Sequence, residues 1–178
     1  MKKILIFTLL LCFFLVSCGG GDKTEAGTNT PASEKTEEET PVTENVQPGY
    51  TFDFKGTTIS VDAKMDSFVS SLGEPLNYFE SESCAFQGLD KVYNWGSVII
   101  RTYPKDGVDY VLTIELKDDS VSTPEGVSIG DTLESVESVY GAPTEKSDTA
   151  LIYKKGNTVL TFLASEGEIN AITYTRNV

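Results

Sequence analysis

The chain has 178 residues, with 27 acidic side chains against 14 basic ones and no histidine. A net charge of −13 repels nucleic acid and anionic lipid headgroups, which excludes nucleic-acid binding. Without histidine there is no Ser-His-Asp or Cys-His catalysis and no imidazole metal ligand.

The chain opens with Lys2 and Lys3, followed by an apolar run from Ile4 to Val16. Such a run falls short of the about 20 residues a membrane-spanning helix needs, and it suits the apolar part of a signal peptide. Residues 1–17 are therefore expected to be removed on export. Leu15-Val16-Ser17-Cys18 resembles the lipobox of bacterial lipoproteins. That resemblance implies cleavage before Cys18, diacylglyceryl and palmitate-type acylation of its thiol, and a lipid anchor on the extracytoplasmic face of the cell membrane. Two or more acyl chains on one residue anchor stably where a single chain does not. Cys12 leaves with the signal, so Cys84 is the one cysteine of the folded part and cannot form an internal disulfide. With Glu80, Glu82 and Asp90 nearby its thiolate is disfavoured, and it is expected to be buried as a small hydrophobe.

Residues 18–48 comprise the acylated cysteine and an acidic tether. From 19 to 48 the tract holds 7 acidic and 2 basic residues, and little apolar beyond Val42 and Val46. It buries too little to offset its ordering entropy, so it is expected to be a disordered spacer reaching about 30 Å on average. The remaining 49–178 have the size of one domain.

Within that head one phrase occurs twice. ISVDAKMDSFVSSLGEP (59–75) aligns without a gap with VSIGDTLESVESVYGAP (127–143). Met65, Phe68, Val69 and Leu72 form a helical stripe, and so do Leu133, Val136 and Tyr140, with Val139 beside them. Asp131 with Glu134 three residues later reads as an N-cap and its capping-box partner. Gly73 and Gly141 sit where a C-cap wants glycine, and Pro75 and Pro143 forbid continuation. Strands are expected at KVYNW, SVIIRTY and VDYVLTIEL, and again at ALIYK, TVLTFLA and INAITY, after an N-terminal hairpin YTFDF/TTISV. Lys55-Gly56, Asp106-Gly107, Lys155-Gly156-Asn157 and Glu166-Gly167 are hairpin turn signals, so the strands run antiparallel.

The expected fold is α+β: two tandem helix-plus-antiparallel-meander repeats, about 50–120 and 121–178, form one sheet with the helices packed on one face. The phrase from Val127 to Pro143 resembles that of the β-lactamase inhibitor proteins and of small lipoproteins of the SmpA/OmlA type. The first copy departs from it at Asp62, where the phrase has glycine. CAFQGLDKVY and STPEGVSIGDT are similar to stretches of exported lipoproteins of Gram-positive anaerobes. These resemblances imply a fold whose members inhibit enzymes or scaffold membrane assembly, and they name no activity.

Gly126-Val127-Ser128-Ile129-Gly130 has the form of a hydrolase elbow, but the histidine it requires does not exist. Carboxylate pairs such as Glu80/Glu82 and Asp118/Asp119 are adjacent by chance in so acidic a chain, and the Asp-rich calcium loop is absent. No cofactor, metal site or enzymatic activity is expected. The two copies differ by about 8 residues within LNYFESESCAFQGLD, read as a loop insert of the first copy. Tyr78, Phe79 and Phe86 in it, with Tyr93, Trp95 and Tyr103 after it, form a candidate binding surface. The leading expectation is a non-catalytic inhibitor or scaffold that binds an envelope or extracellular protein. The alternatives are a carbohydrate or cell-wall binding module using Tyr78, Trp95 and Tyr103, and a small carboxylate-dependent hydrolase.

Overall fold

The computed structural model describes residues 48–177. The expected signal peptide, Cys18 and all of the tether except Pro48 lie outside them, as does Val178. The elements in chain order are β1 (Thr51–Phe54), β2 (Thr57–Ser60), α1 (Asp66–Leu72), β3 (Asn77–Glu82), β4 (Leu89–Asn94), β5 (Val98–Lys105) and β6 (Val108–Leu116). Then follow α2 (Leu133–Tyr140), β7 (Glu145–Ser147), β8 (Ala150–Lys155), β9 (Thr158–Ser165) and β10 (Glu168–Arg176). The molecule is mostly sheet: β1 and β2 pair alone, and the other eight strands form one antiparallel sheet in the order β3-β4-β5-β6-β10-β9-β8-β7.

Local chemistry makes the hairpins. Both central residues have positive φ at Lys55-Gly56 (49° and 77°), Asp106-Gly107 (53° and 74°) and Glu166-Gly167 (57° and 90°). A two-residue turn of this hand matches strand twist, and glycine takes such a conformation without steric cost.

Period-two alternation then divides the sheet. Val98 and Ile100, Ile114 and Leu116, Tyr174 and Ile172, Leu160 and Phe162, and Leu151 and Tyr153 are all buried on one face. They share one core with Phe52, Phe54 and Ile59 of the β1–β2 hairpin, Met65 and Leu72 at the ends of α1, and Val136 of α2. Phe68, Val69, Leu133 and Tyr140 pack at its margin, while Val139 is exposed. At 7 and 8 residues the helices are far below the about 12 needed to persist alone. Their burial against the sheet, about 1.5–3 kcal/mol for each fully buried apolar side chain, holds them.

The helix ends differ from expectation in detail. Thr132, not Asp131, is the N-cap of α2, its Oγ1 accepting from Ser135 N at 3.3 Å. Asp131 Oδ2 instead accepts from Ser128 N at 2.7 Å and tightens the preceding turn. Gly73 and Gly141 do end the helices, at φ 70°, ψ 179° and φ 76°, ψ −155°, a region open essentially to glycine alone. Each glycine carbonyl is taken by a core aromatic: Trp95 Nε1 donates to Gly73 O and Tyr153 OH to Gly141 O, both at 3.0 Å.

The lead-in to each helix is tied to a central strand. Asp62 N donates to Val111 O at 2.8 Å and Val111 N to Ala63 O at 2.9 Å. Gly130 N donates to Ile169 O at 2.8 Å and Ile169 N to Asp131 O at 2.7 Å. Asp62, the departure from the glycine of the phrase, keeps a positive φ of 61°, beside 95° at Gly130. The two edge strands were not foreseen. Asn77–Glu82, read as part of a loop insert, is β3 paired with β4, and β7 pairs with β8. All residues of both edge strands are exposed, so neither carries the alternation that marks a half-buried strand.

Candidate functional site: the second face of the sheet

The face opposite the core is built by the other half of each alternation. One row across the sheet runs Phe79, Val92, Arg101, Thr113, Thr175, Val159, Lys154. The next runs Asn94, Ile99, Glu115, Thr173, Thr161, Ile152. Most of these residues are half-buried by their neighbours on the sheet, while Phe79 is 63% exposed and Leu163, on β9, is 45% exposed. Two ion pairs lie on this face: Arg101 Nε is 3.0 Å from Glu115 Oε1, and Lys154 Nζ 2.7 Å from Glu145 Oε1. Exposed pairs like these contribute little stability and set polarity instead.

The six aromatic residues of the expected surface do not lie together. Phe79 is on this second face and Tyr78 is at the edge, half exposed, its hydroxyl donating to Glu80 Oε2 at 2.7 Å. From Tyr78 a ladder of rings leads inward, with centroids 5.0 Å apart to Tyr93, 6.0 Å from Tyr93 to Trp95, and 6.0 Å from Trp95 to Phe54. Trp95 is 8% exposed and Tyr103 4%. This corrects the expectation that these two rings form a contact surface: Trp95 closes the core over the end of α1 through its bond to Gly73. Tyr103 is covered by Phe86, with centroids 4.9 Å apart, and by the Arg176 guanidinium 5.2 Å from its centroid. The Tyr103 hydroxyl donates to Asp62 Oδ1 at 2.8 Å, and burial, reinforced by that carboxylate, pushes its pKa up to about 12.

Cys84 is also corrected, being exposed in the β3–β4 connection. There Phe86 turns inward, and Ser83 Oγ accepts from Phe86 N at 3.1 Å, so the loop presents Cys84 outward. Ser128 lies in the turn before α2, bridged to Ser122, and not at a strand-to-helix elbow.

Sequence reasoning missed a groove on the second face between β3 and β6. Its volume is about 270 Å³, and Phe79, Ser81, Asp90, Val92, Arg101 and Leu112 line it together with Lys91 and Thr102. Asp90 Oδ1 and Thr102 Oγ1 are buried and have no hydrogen-bond partner among the described residues. Asp90 gave no signal in the sequence, being one of 27 acidic residues with no distinguishing spacing.

Compared with known proteins, the chain matches no family model, no curated protein and no solved structure. The site is therefore read from its own chemistry.

Proposed function

We propose that this chain is an exported lipoprotein, anchored through acylated Cys18, whose head is a non-catalytic module binding an envelope or extracellular protein through the second face of its sheet. The observation that carries this reading is the composition of that face. Val92, Ile99, Ile152, Val159 and the exposed Phe79 and Leu163 alternate with Thr113, Thr161, Thr173, Thr175 and paired charges. Apolar area mixed with hydroxyls in this proportion suits a partner that binds and leaves, and it is broader than a substrate cleft. An inhibitor or a scaffold would use such a surface.

The tandem-repeat reading, and with it the resemblance to the β-lactamase inhibitor and SmpA/OmlA folds, is supported by register. Tyr93 pairs with Ile100 as Tyr153 pairs with Leu160, and Val98 with Leu116 as Thr158 with Arg176. Each pairing recurs 60 residues on, as expected if 50–120 and 121–178 are copies. The carbohydrate alternative loses its platform, because Trp95 and Tyr103 are packed on both sides by protein.

The test places a photo-crosslinking side chain at Thr173, in the middle of the second face, or at Ser138, exposed on α2, in the full chain in intact cells. A discrete adduct with one envelope protein from Thr173 and none from Ser138 is expected. Equal capture from both positions, or none from Thr173, would refute the docking face.

A further inference from the structure

Two grooves cut the second face, one behind each edge strand. The larger is bounded by Phe79 and Ser81 of β3 and by Asp90 and Val92 of β4. The smaller, about 120 Å³, is bounded by Glu145 and Ser147 of β7 and by Ala150 and Ile152 of β8. Their walls correspond pair by pair: Phe79 faces Val92 as Glu145 faces Ile152, and Ser81 faces Asp90 as Ser147 faces Ala150. These paired walls thus carry an aspartate in one groove and an alanine in the other, while the larger groove extends further over Arg101, Thr102 and Leu112.

The aspartate is unfavourable there. Asp90 Oδ1 is buried without a hydrogen bond among the described residues, and so is Oγ1 of Thr102, which is 1% exposed. The two cations that line the groove are engaged elsewhere: Lys91 Nζ is 2.6 Å from Asp109 Oδ2, and Arg101 is held by Glu115. Asp90 has no ion-pair partner among the described residues. Burying such an oxygen unpaired costs stability, and an apolar replacement is often neutral or stabilising.

We propose, resting on the protein-binding reading above, that this groove receives a lysine side chain from an extended, basic segment of the partner laid along β3. β3 is an edge strand, so one side of its backbone is free among the described residues to add a further strand. Strands pair about 4.8 Å apart, and a residue opposite Ser81 lies in the row that continues to Asp90. The small serine lets a long side chain pass over it. Phe79 and Val92 flank the aliphatic stem, and the ammonium meets the half-buried Asp90 carboxylate on its open side. Glu80 and Glu82 on β3 add acidic charge to the edge. They oppose pairing with a second copy of this strand, because like charges facing across strands repel, and they favour a basic one.

The test titrates the isotope-labelled full chain with the peptide acetyl-Thr-Val-Lys-Val-Thr-amide, its norleucine analogue, and n-pentylamine. The lysine peptide is expected to shift the amide resonances of Ser81 and Asp90 and to bind about tenfold or more tighter than the norleucine peptide. Asp90→Ala is expected to erase that preference while melting at or above the parent temperature. Equal binding of the two peptides would overturn the proposal. So would a preference that survives Asp90→Ala, an Asp90→Ala variant that melts lower, or displacement of the lysine peptide by an equal concentration of pentylamine. If Thr173 still captures its partner in cells when these arms fail, the docking face stands and only the groove assignment falls.

Discussion

Asp62 offers a way to separate backbone strain from side-chain contact at one position. Its backbone is left-handed, φ 61°, where an L side chain costs about 1 kcal/mol or more. Its carboxylate gathers three groups: Tyr103 OH at 2.8 Å, Asn157 Nδ2 at 3.2 Å, and Arg176 Nε at 2.9 Å, an ion pair whose N–H is not aligned for a hydrogen bond. The side chains of Asp62 and Arg176 are 28% and 33% exposed, so the ion pair is screened and contributes about 0–1 kcal/mol. Leaving the buried Tyr103 hydroxyl unpaired costs about 1–3 kcal/mol. Asp62→Gly loses these contacts but relieves the strain, for a net destabilisation of about 1–2 kcal/mol. Asp62→Ala loses the contacts and keeps the strain, so it is expected to fall about 1 kcal/mol further. Urea unfolding of the full chain, followed by the emission of Trp95, its only tryptophan and buried when folded, measures both. A glycine variant at least as stable as the parent would refute the contact argument, and alanine equal to glycine would refute the strain argument.

Gly141→Ala is expected to lower stability by about 1–3 kcal/mol although nothing lies within 4 Å of the added Cβ, because φ 76° with ψ −155° excludes it; an unchanged urea midpoint would contradict this. Burial raises the pKa of Tyr103 to about 12, and raises Tyr140 and Tyr174 as well. Unfolded tyrosines ionise near pH 10, so stability is full below about pH 10 and declines as pH rises through the folded values. Urea midpoints that stay level from pH 9 to 11 would count against it, and Tyr103→Phe is expected to shallow the decline. Cys84 is expected to react with a maleimide in the folded chain at close to its rate in urea, as mapped by mass spectrometry of digests; strong protection in the folded state would place the thiol elsewhere.

Features that depend on local chemistry were legible before the fold was known. Met65, Phe68, Val69 and Leu72 mark α1 by their spacing, and the Lys55-Gly56, Asp106-Gly107 and Glu166-Gly167 turns follow from what glycine alone adopts cheaply. The expected strand VDYVLTIEL coincides with β6. Edge strands were not legible, because their residues are exposed on both sides and only the hydrogen bonds of β4 and β8 make them strands. The N-cap moved from Asp131 to Thr132 because two good capping residues stand side by side, and the bond of Asp131 to Ser128 N decided between them.

For the candidate site the division is sharper. Aromatic identity says that a ring has area to bury, not which side of a strand it takes. Trp95 is inside because its N–H finds Gly73 O, 22 residues away, while Phe79 is outside because it pairs with Val92 on the second face. The sequence by itself determined the helices, the glycine turns and most strands of this head, since each depends on a few neighbouring residues. Only the tertiary structure decided that β6 lies beside β10, that Trp95 and Tyr103 are core, and that Asp90 lines a groove with no partner among the described residues. Those depend on pairing between segments far apart in the chain, where burial and partner geometry outweigh any local preference.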